Sequence, residues 1–143
     1  MNIALRAVTA VASITAGVLH WDIWANHGYR QAPIREMFVL SAVVGVALGG
    51  LALVKHPKAA LPAAVANAAF FAAFALSRVS EVPTFHGGWS ESGLAPTDAT
   101  ILGVSTTLLL LVAEGLAIVC GLASVLVGRR HRPTPLPGEF APA

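Results

Sequence analysis

The chain reads as an all-α polytopic membrane protein, an antiparallel bundle of four transmembrane helices with an ordered extracytoplasmic loop. Three observations lead there. Four apolar stretches, 7–24, 37–54, 59–76 and 101–127, fill most of the 143 residues. Each approaches or exceeds the ~20 helical residues that cross a ~30 Å hydrocarbon core. Two of them, MFVLSAVVGVALGGLALV and AALPAAVANAAFFAAFAL, hold no charge. Charged residues are 11% of the chain and hydrophobic ones 56%, with a mean hydropathy of +0.73. A soluble domain carries ~25% charged residues, so polar side chains here are too few to coat a water-facing globule.

The first stretch follows the short segment MNIALR and runs into HWDIW. As a cleaved signal peptide its only suitable cut, after Ala16, would place bulky Ile14 where a small residue is required, so it is read as a retained span. Ser13, Gly17, His20, Trp24 and His27 recur at spacings of four and three, which puts them on one helix face. The second stretch carries Ser41, Gly45 and Gly49 at four-residue spacing, a smooth strip along which another backbone can approach closely, either within the bundle or from a second copy of the chain. KHPK, residues 55–58, makes a tight turn to the third stretch, where Pro62 falls in the first helical turn and costs little. The third is nearly an alanine rod with Phe70, Phe71 and Phe74 as its bulk. The fourth offers Ala117 and Gly121 as small contact positions. Residues 1–127 thus form one transmembrane domain. Residues 128–143, with RRHRPTPLPGEFAPA, form a proline-rich tail.

Lys and Arg placement sets orientation. Arg6, Lys55, Lys58, Arg129, Arg130 and Arg132 fall on one side, against Arg30, Arg35 and Arg78 on the other. That bias predicts both termini in the cytoplasm of a plasma-membrane protein. Trp21, Trp24 and Trp89, all the tryptophans of the chain, lie on the outer side, as an aromatic belt would.

Polar residues inside the spans carry what chemical information there is. Glu114 sits halfway along 101–127, at mid-depth, where a carboxylate is costly and is either paired or functional. Asn67 lies halfway along the third stretch and is its expected hydrogen-bond partner. At the outer end, His20, Asp22, Arg78, Glu81, Trp89 and Glu91 are expected to gather beneath the loop 77–93, SRVSEVPTFHGGWSESG, whose proline, glycines and aromatics suit an ordered cap rather than a linker. His20 and His86 are the candidates for a metal or haem. His20 and His27 stand ~10 Å apart along a helix and cannot share one ion, and there is no HExxH, His-x-His or CxxC, so no cofactor is expected. Cys120 stands alone, which leaves no internal disulfide.

Composition and motifs also exclude classes of function. A net charge of +2 without basic clusters excludes a nucleic-acid surface. No Ser-His-Asp set, phosphate loop or nucleotide motif argues for an enzyme of soluble type.

The pattern Ser77-Arg78, Pro83, Gly87-Gly88-Trp89, Glu91 and Gly93, followed by a span with Glu114-Gly115, resembles small actinobacterial four-span membrane proteins. His20 at the end of the first span, leading to Phe38-Val39-Leu40, belongs to the same likeness, which covers most of residues 7–127. The resemblance implies fold and location and supplies no activity. The reading from sequence is therefore an accessory or interaction component, whose outer face of His20, Arg78 and loop 77–93 binds a partner. Its surroundings would be the lipid bilayer and either a homo-oligomer or a larger membrane complex. The alternatives are a haem- or metal-binding electron-transfer component, and a small proton-linked transporter using Glu114.

Overall fold

The computed structural model describes residues 3–26, 34–56, 58–79 and 100–130. Its elements are α1 (Ile3–Asn26), α2 (Ile34–Ala52), α3 (Leu61–Val79), a two-stranded hairpin of β1 (Thr100–Ile101) and β2 (Val104–Ser105), and α4 (Thr106–Arg130). Three segments, Ile3–Asn26, Arg35–Ala52 and Thr106–Gly128, are long and apolar enough to cross a membrane. The apolar part of α3, Leu61–Leu76, is shorter.

The helix ends differ from the hydropathy limits for local reasons. α1 gains residues at both ends because Ile3, Ala4 and Leu5 are helix-compatible and no glycine or proline lies between Trp24 and Asn26. α2 stops at Ala52, before Val54. Its last turn tightens into bonds spanning three residues, Leu53 N–H to Gly50 O and Val54 N–H to Leu51 O. The turn then closes through Ala59 N–H to His56 O and Leu61 N–H to Lys58 O, and α3 starts two residues later than the apolar run. The largest correction is at the fourth span. Residues 101–105 are not helical, because Leu102 (φ 52°) and Gly103 (φ 79°) turn the chain back on itself. Two successive left-handed residues make the hairpin turn that matches strand twist. Glycine adopts this conformation freely, whereas leucine is strained in it.

α1 is the central helix, packed most extensively on α2 and α4, while α3 packs mainly on α4. The strip on α2 is the seam with α1. A Cβ on Gly45 would lie 3.0 Å from Gly17 Cα and from Ser13 O, and one on Gly49 would lie 2.9 Å from Ala10 O. On the facing side, a Cβ on Gly17 would lie 2.8 Å from Ala42 O. Residue numbers rise on α1 as they fall on α2, so the two helices run in opposite directions. Of the two uses the sequence left open for this groove, contact within the bundle is the one seen, with α1 occupying it. Gly121 plays the same part between α4 and α3, with a Cβ there falling 2.8 Å from the Ala64 Cβ.

Away from Arg6, Ala16, Leu19, Ile23, Phe38, Leu110 and Ala113 form the main apolar cluster. At the Arg6 end a smaller cluster contains Ala10, Ala52 and Ala60. The outside is apolar too, with Val11, Leu40, Val43, Val65 and Val119 all exposed, while Arg6, Thr9, Ser13, His20, Asn67 and Glu114 are buried. Polar inside and apolar outside is the arrangement of a chain whose surroundings are hydrocarbon.

Candidate functional site: a buried acid–base pair

Arg6, Ser13 and His20 recur every seven residues on α1, so they lie in a row along its buried face. Each organises one layer. At the first, Arg6 Nε donates to Ala52 O at 2.9 Å and its Nη2 donates to Val54 O. Ala52 O ends α2 and has no acceptor role left inside the helix, Val54 O lies in the turn just beyond and also accepts from His56 N–H, and the guanidinium charge suits the negative end of the helix dipole.

In the second layer the Ser13 hydroxyl donates to Gly45 O at 2.9 Å, across the glycine seam. Asn67, fully buried on α3, donates through Nδ2 to Ser13 Oγ at 3.0 Å and to Ala63 O at 2.8 Å. Three helices are joined by this one chain of bonds. Among the described residues, none donates to Asn67 Oδ1.

The third layer holds the acid and the base. His20 is 7% exposed and Glu114 1%. The His20 Nδ1 lies 2.9 Å from Ala16 O, and its ring packs against Phe38 of α2 and Phe70 of α3, each at 5.6 Å between centroids. Its Nε2 is 3.7 Å from Glu114 Oε1 on α4. A carbonyl only accepts, so the Nδ1 hydrogen is committed to Ala16. In the neutral ring Nε2 is then a lone pair aimed at the carboxyl. Two acceptors facing each other in a dry interior repel unless a proton lies on one of them. The pair is therefore built to hold one proton, either on Glu114 or as imidazolium with carboxylate. The observed separation is about 0.8 Å longer than an ordinary hydrogen bond.

Glu114 is interior and buried, as its mid-span position implied, but its neighbour is His20. Asn67 is taken by Ser13 and by its own helix. The reason is the direction in which helical side chains lean, toward the N-terminus of their own helix. α1 runs opposite to α4, so Asn67 leans toward the Ser13 layer and Glu114 toward the His20 layer. His20, expected in the outer cluster, belongs to this inner pair. Asp22 accepts from Asn26 Nδ2 at 2.6 Å along α1. The side chain of Arg78, and Glu81, His86, Trp89 and Glu91, lie outside the described residues, as do His27 and loop 80–99, so the outer cap is a matter of sequence alone. Among the described residues, no three His, Cys, Asp or Glu side chains form a group able to hold a metal ion.

Sequence reasoning passed over Arg6 and Ser13 as bonding partners. Ser13 was visible as a small residue on the face of His20, and Arg6 only as a topogenic charge. Their seven-residue spacing to His20 was the available signal. Comparison with known protein families, with characterised proteins and with solved structures gives no match.

Proposed function

We propose that this chain is a small proton-linked membrane component, in which the His20–Glu114 pair takes up and releases a proton inside the bilayer. The reading includes an antiparallel bundle of four spans in the plasma membrane, with both termini cytoplasmic. The 19 residues of α3 support the fourth span, since they extend ~28 Å at 1.5 Å per residue. The observation that carries the functional reading is the placement of the two ring nitrogens of His20, one on a backbone carbonyl and the other facing a carboxyl. Its Nδ1–H is held by Ala16 O, and its Nε2 faces a buried carboxyl supplied by another helix. A simple clamp between helices needs one donor and one acceptor. This arrangement presents two groups that each exchange protons, and intramembrane ionisable residues of this kind mark proton routes.

The test needs no knowledge of a substrate. Infrared difference spectra of the reconstituted protein should show a carboxyl band that grows and fades with pH. The band should be missing in Glu114→Gln, and its pH response should be displaced in His20→Gln. A wild-type spectrum without any pH-responsive carboxyl band that Glu114→Gln removes would sink the proton-linked reading. Glu114 would then be a helix clamp, and an accessory role for the outer loop would stand in its place.

A further inference from the structure

Among the described residues, the Arg6 end of the bundle carries exposed lysines and no carboxylate. Lys55, His56 and Lys58 are exposed in the turn that follows α2. The turn is held by its own bonds, from His56 N–H to Val54 O, from Ala59 N–H to His56 O, and from Lys58 N–H to His56 Nδ1 at 3.3 Å. Arg6 fixes its start against α1 through Ala52 O and Val54 O. α4 comes to the same end. A Cβ on its Gly121 would lie 3.1 Å from Ala60 O, and the helix then runs on to close with Arg129 and Arg130. The described acids are elsewhere. Asp22, near the end of α1, and Glu36, at the start of α2, belong to the opposite end, where the exposed Arg35 has Glu36 Oε1 3.8 Å from its Nε. Glu114 stands at the level of His20, ~21 Å along α1 from Arg6.

Apolar surface adjoins the lysines. Leu53 and Val54, the two residues before Lys55, are exposed, and a Cβ on Gly50 would meet nothing within 4 Å. Side chains that face outward from a span touch acyl chains, while lysines at its end reach the headgroup layer on long flexible stems. A zwitterionic headgroup brings its own ammonium and offsets no charge here, whereas an anionic one supplies the negative charge this end lacks. We infer that the turn at 55–58 binds an anionic phospholipid of the surrounding leaflet, with its phosphate on Lys55 and Lys58 and an acyl chain along Leu53 and Val54. Arg129 and Arg130 strengthen the attraction through their field, without having to touch the lipid. The site lies two layers away from the His20–Glu114 pair. It therefore stands independently of the proton-linked reading, and of which side of the membrane this end occupies.

Native mass spectrometry of the full chain in detergent, titrated with phosphatidylglycerol or with phosphatidylcholine of the same acyl chains, tests the site. At low salt the wild type should bind phosphatidylglycerol about thirtyfold more tightly, the factor that ~2 kcal/mol from two lysines gives. Replacing both lysines, Lys55→Gln with Lys58→Gln, should cut the preference to about threefold or less. Both are exposed in the turn, so the fold should survive, and Arg35→Gln at the opposite end should leave the preference intact. Phosphatidylglycerol should also raise the thermal unfolding midpoint more than phosphatidylcholine does, an advantage that fades at ~1 M salt as charges are screened. Wild-type protein that binds the two lipids within about threefold of each other overturns the site, and this measurement needs no variant. So does a double-lysine variant that keeps the full preference. Inorganic phosphate that raises the midpoint as far as phosphatidylglycerol does would overturn the lipid as occupant, since it has no chain to lie along Leu53 and Val54.

Discussion

Glu114 and His20 show how the value of a buried polar residue depends on its partner. Alone at mid-depth, either would be a liability, because hydrocarbon offers nothing to bond with. They stand 3.7 Å apart, with the imidazole anchored to Ala16 O, so each is the other's polar neighbour. Replacing Glu114 by Leu should therefore cost about 1–2 kcal/mol by stranding the Nε2 of His20, not by stranding Asn67, whose amide bonds to Ser13 and Ala63 persist. His20→Phe should cost a similar amount. The double variant should be more stable than the sum of the two losses predicts, by ~0.5 kcal/mol or more, as residues in contact generally are. Denaturant unfolding in detergent reads this directly, and strictly additive losses would show that the two side chains do not interact.

The α1–α2 seam is the decisive element. Helices in lipid gain little from hydrophobic association, so close approach of small residues has to supply the contact energy. A Cβ on Gly17, Gly45 or Gly49 would stand 2.8–3.1 Å from backbone atoms of the facing helix. Gly45→Leu should destabilise the protein by ~3 kcal/mol or more, because backbone cannot yield as a side chain does. Val43→Leu, on the exposed face, should be close to neutral. Equal thermal stability of the two variants would remove the seam from its structural role. The seam also explains the Ser13–Gly45 bond, since only a glycine-lined contact brings a hydroxyl of one helix within 2.9 Å of a carbonyl of the next.

For the molecule as a whole, the open question is which way it lies in the bilayer. The six-to-three excess of Lys and Arg on the side of Arg6 and Lys55 is the ground for proposing that side as cytoplasmic. The Arg6 guanidinium, bonded at the α2 terminus, puts Arg6 at the same end of the bundle as the turn that carries Lys55. In a Cys120→Ala background, a cysteine at position 92 should be labelled by an impermeant reagent on intact cells, and one at position 134 should be labelled only after lysis. Labelling of position 134 on intact cells would invert the orientation.

Hydropathy and composition by themselves determined that helices long enough for a membrane dominate this chain, because burial in lipid demands an unbroken apolar run and nothing subtler. Spacing alone also identified the glycines at 45 and 49, since close helix contact requires small residues at every turn. Mid-span position was enough to single out Glu114 and Asn67, as polar atoms at that depth are expensive wherever they point. Their partners could not be read in the same way. Whether Glu114 meets Asn67 or His20 depends on how far each helix is shifted along its neighbours, and a shift of one turn, ~5 Å, changes the partner while leaving hydropathy untouched. The hairpin at 100–105 was hidden for a related reason. An apolar run is equally compatible with strand and helix, and only the left-handed backbone at Leu102 and Gly103 decides between them. Tertiary structure therefore decided the bonding pattern: α1 is the helix whose buried face carries Arg6, Ser13 and His20, and the axial registers of its neighbours bring a different partner to each.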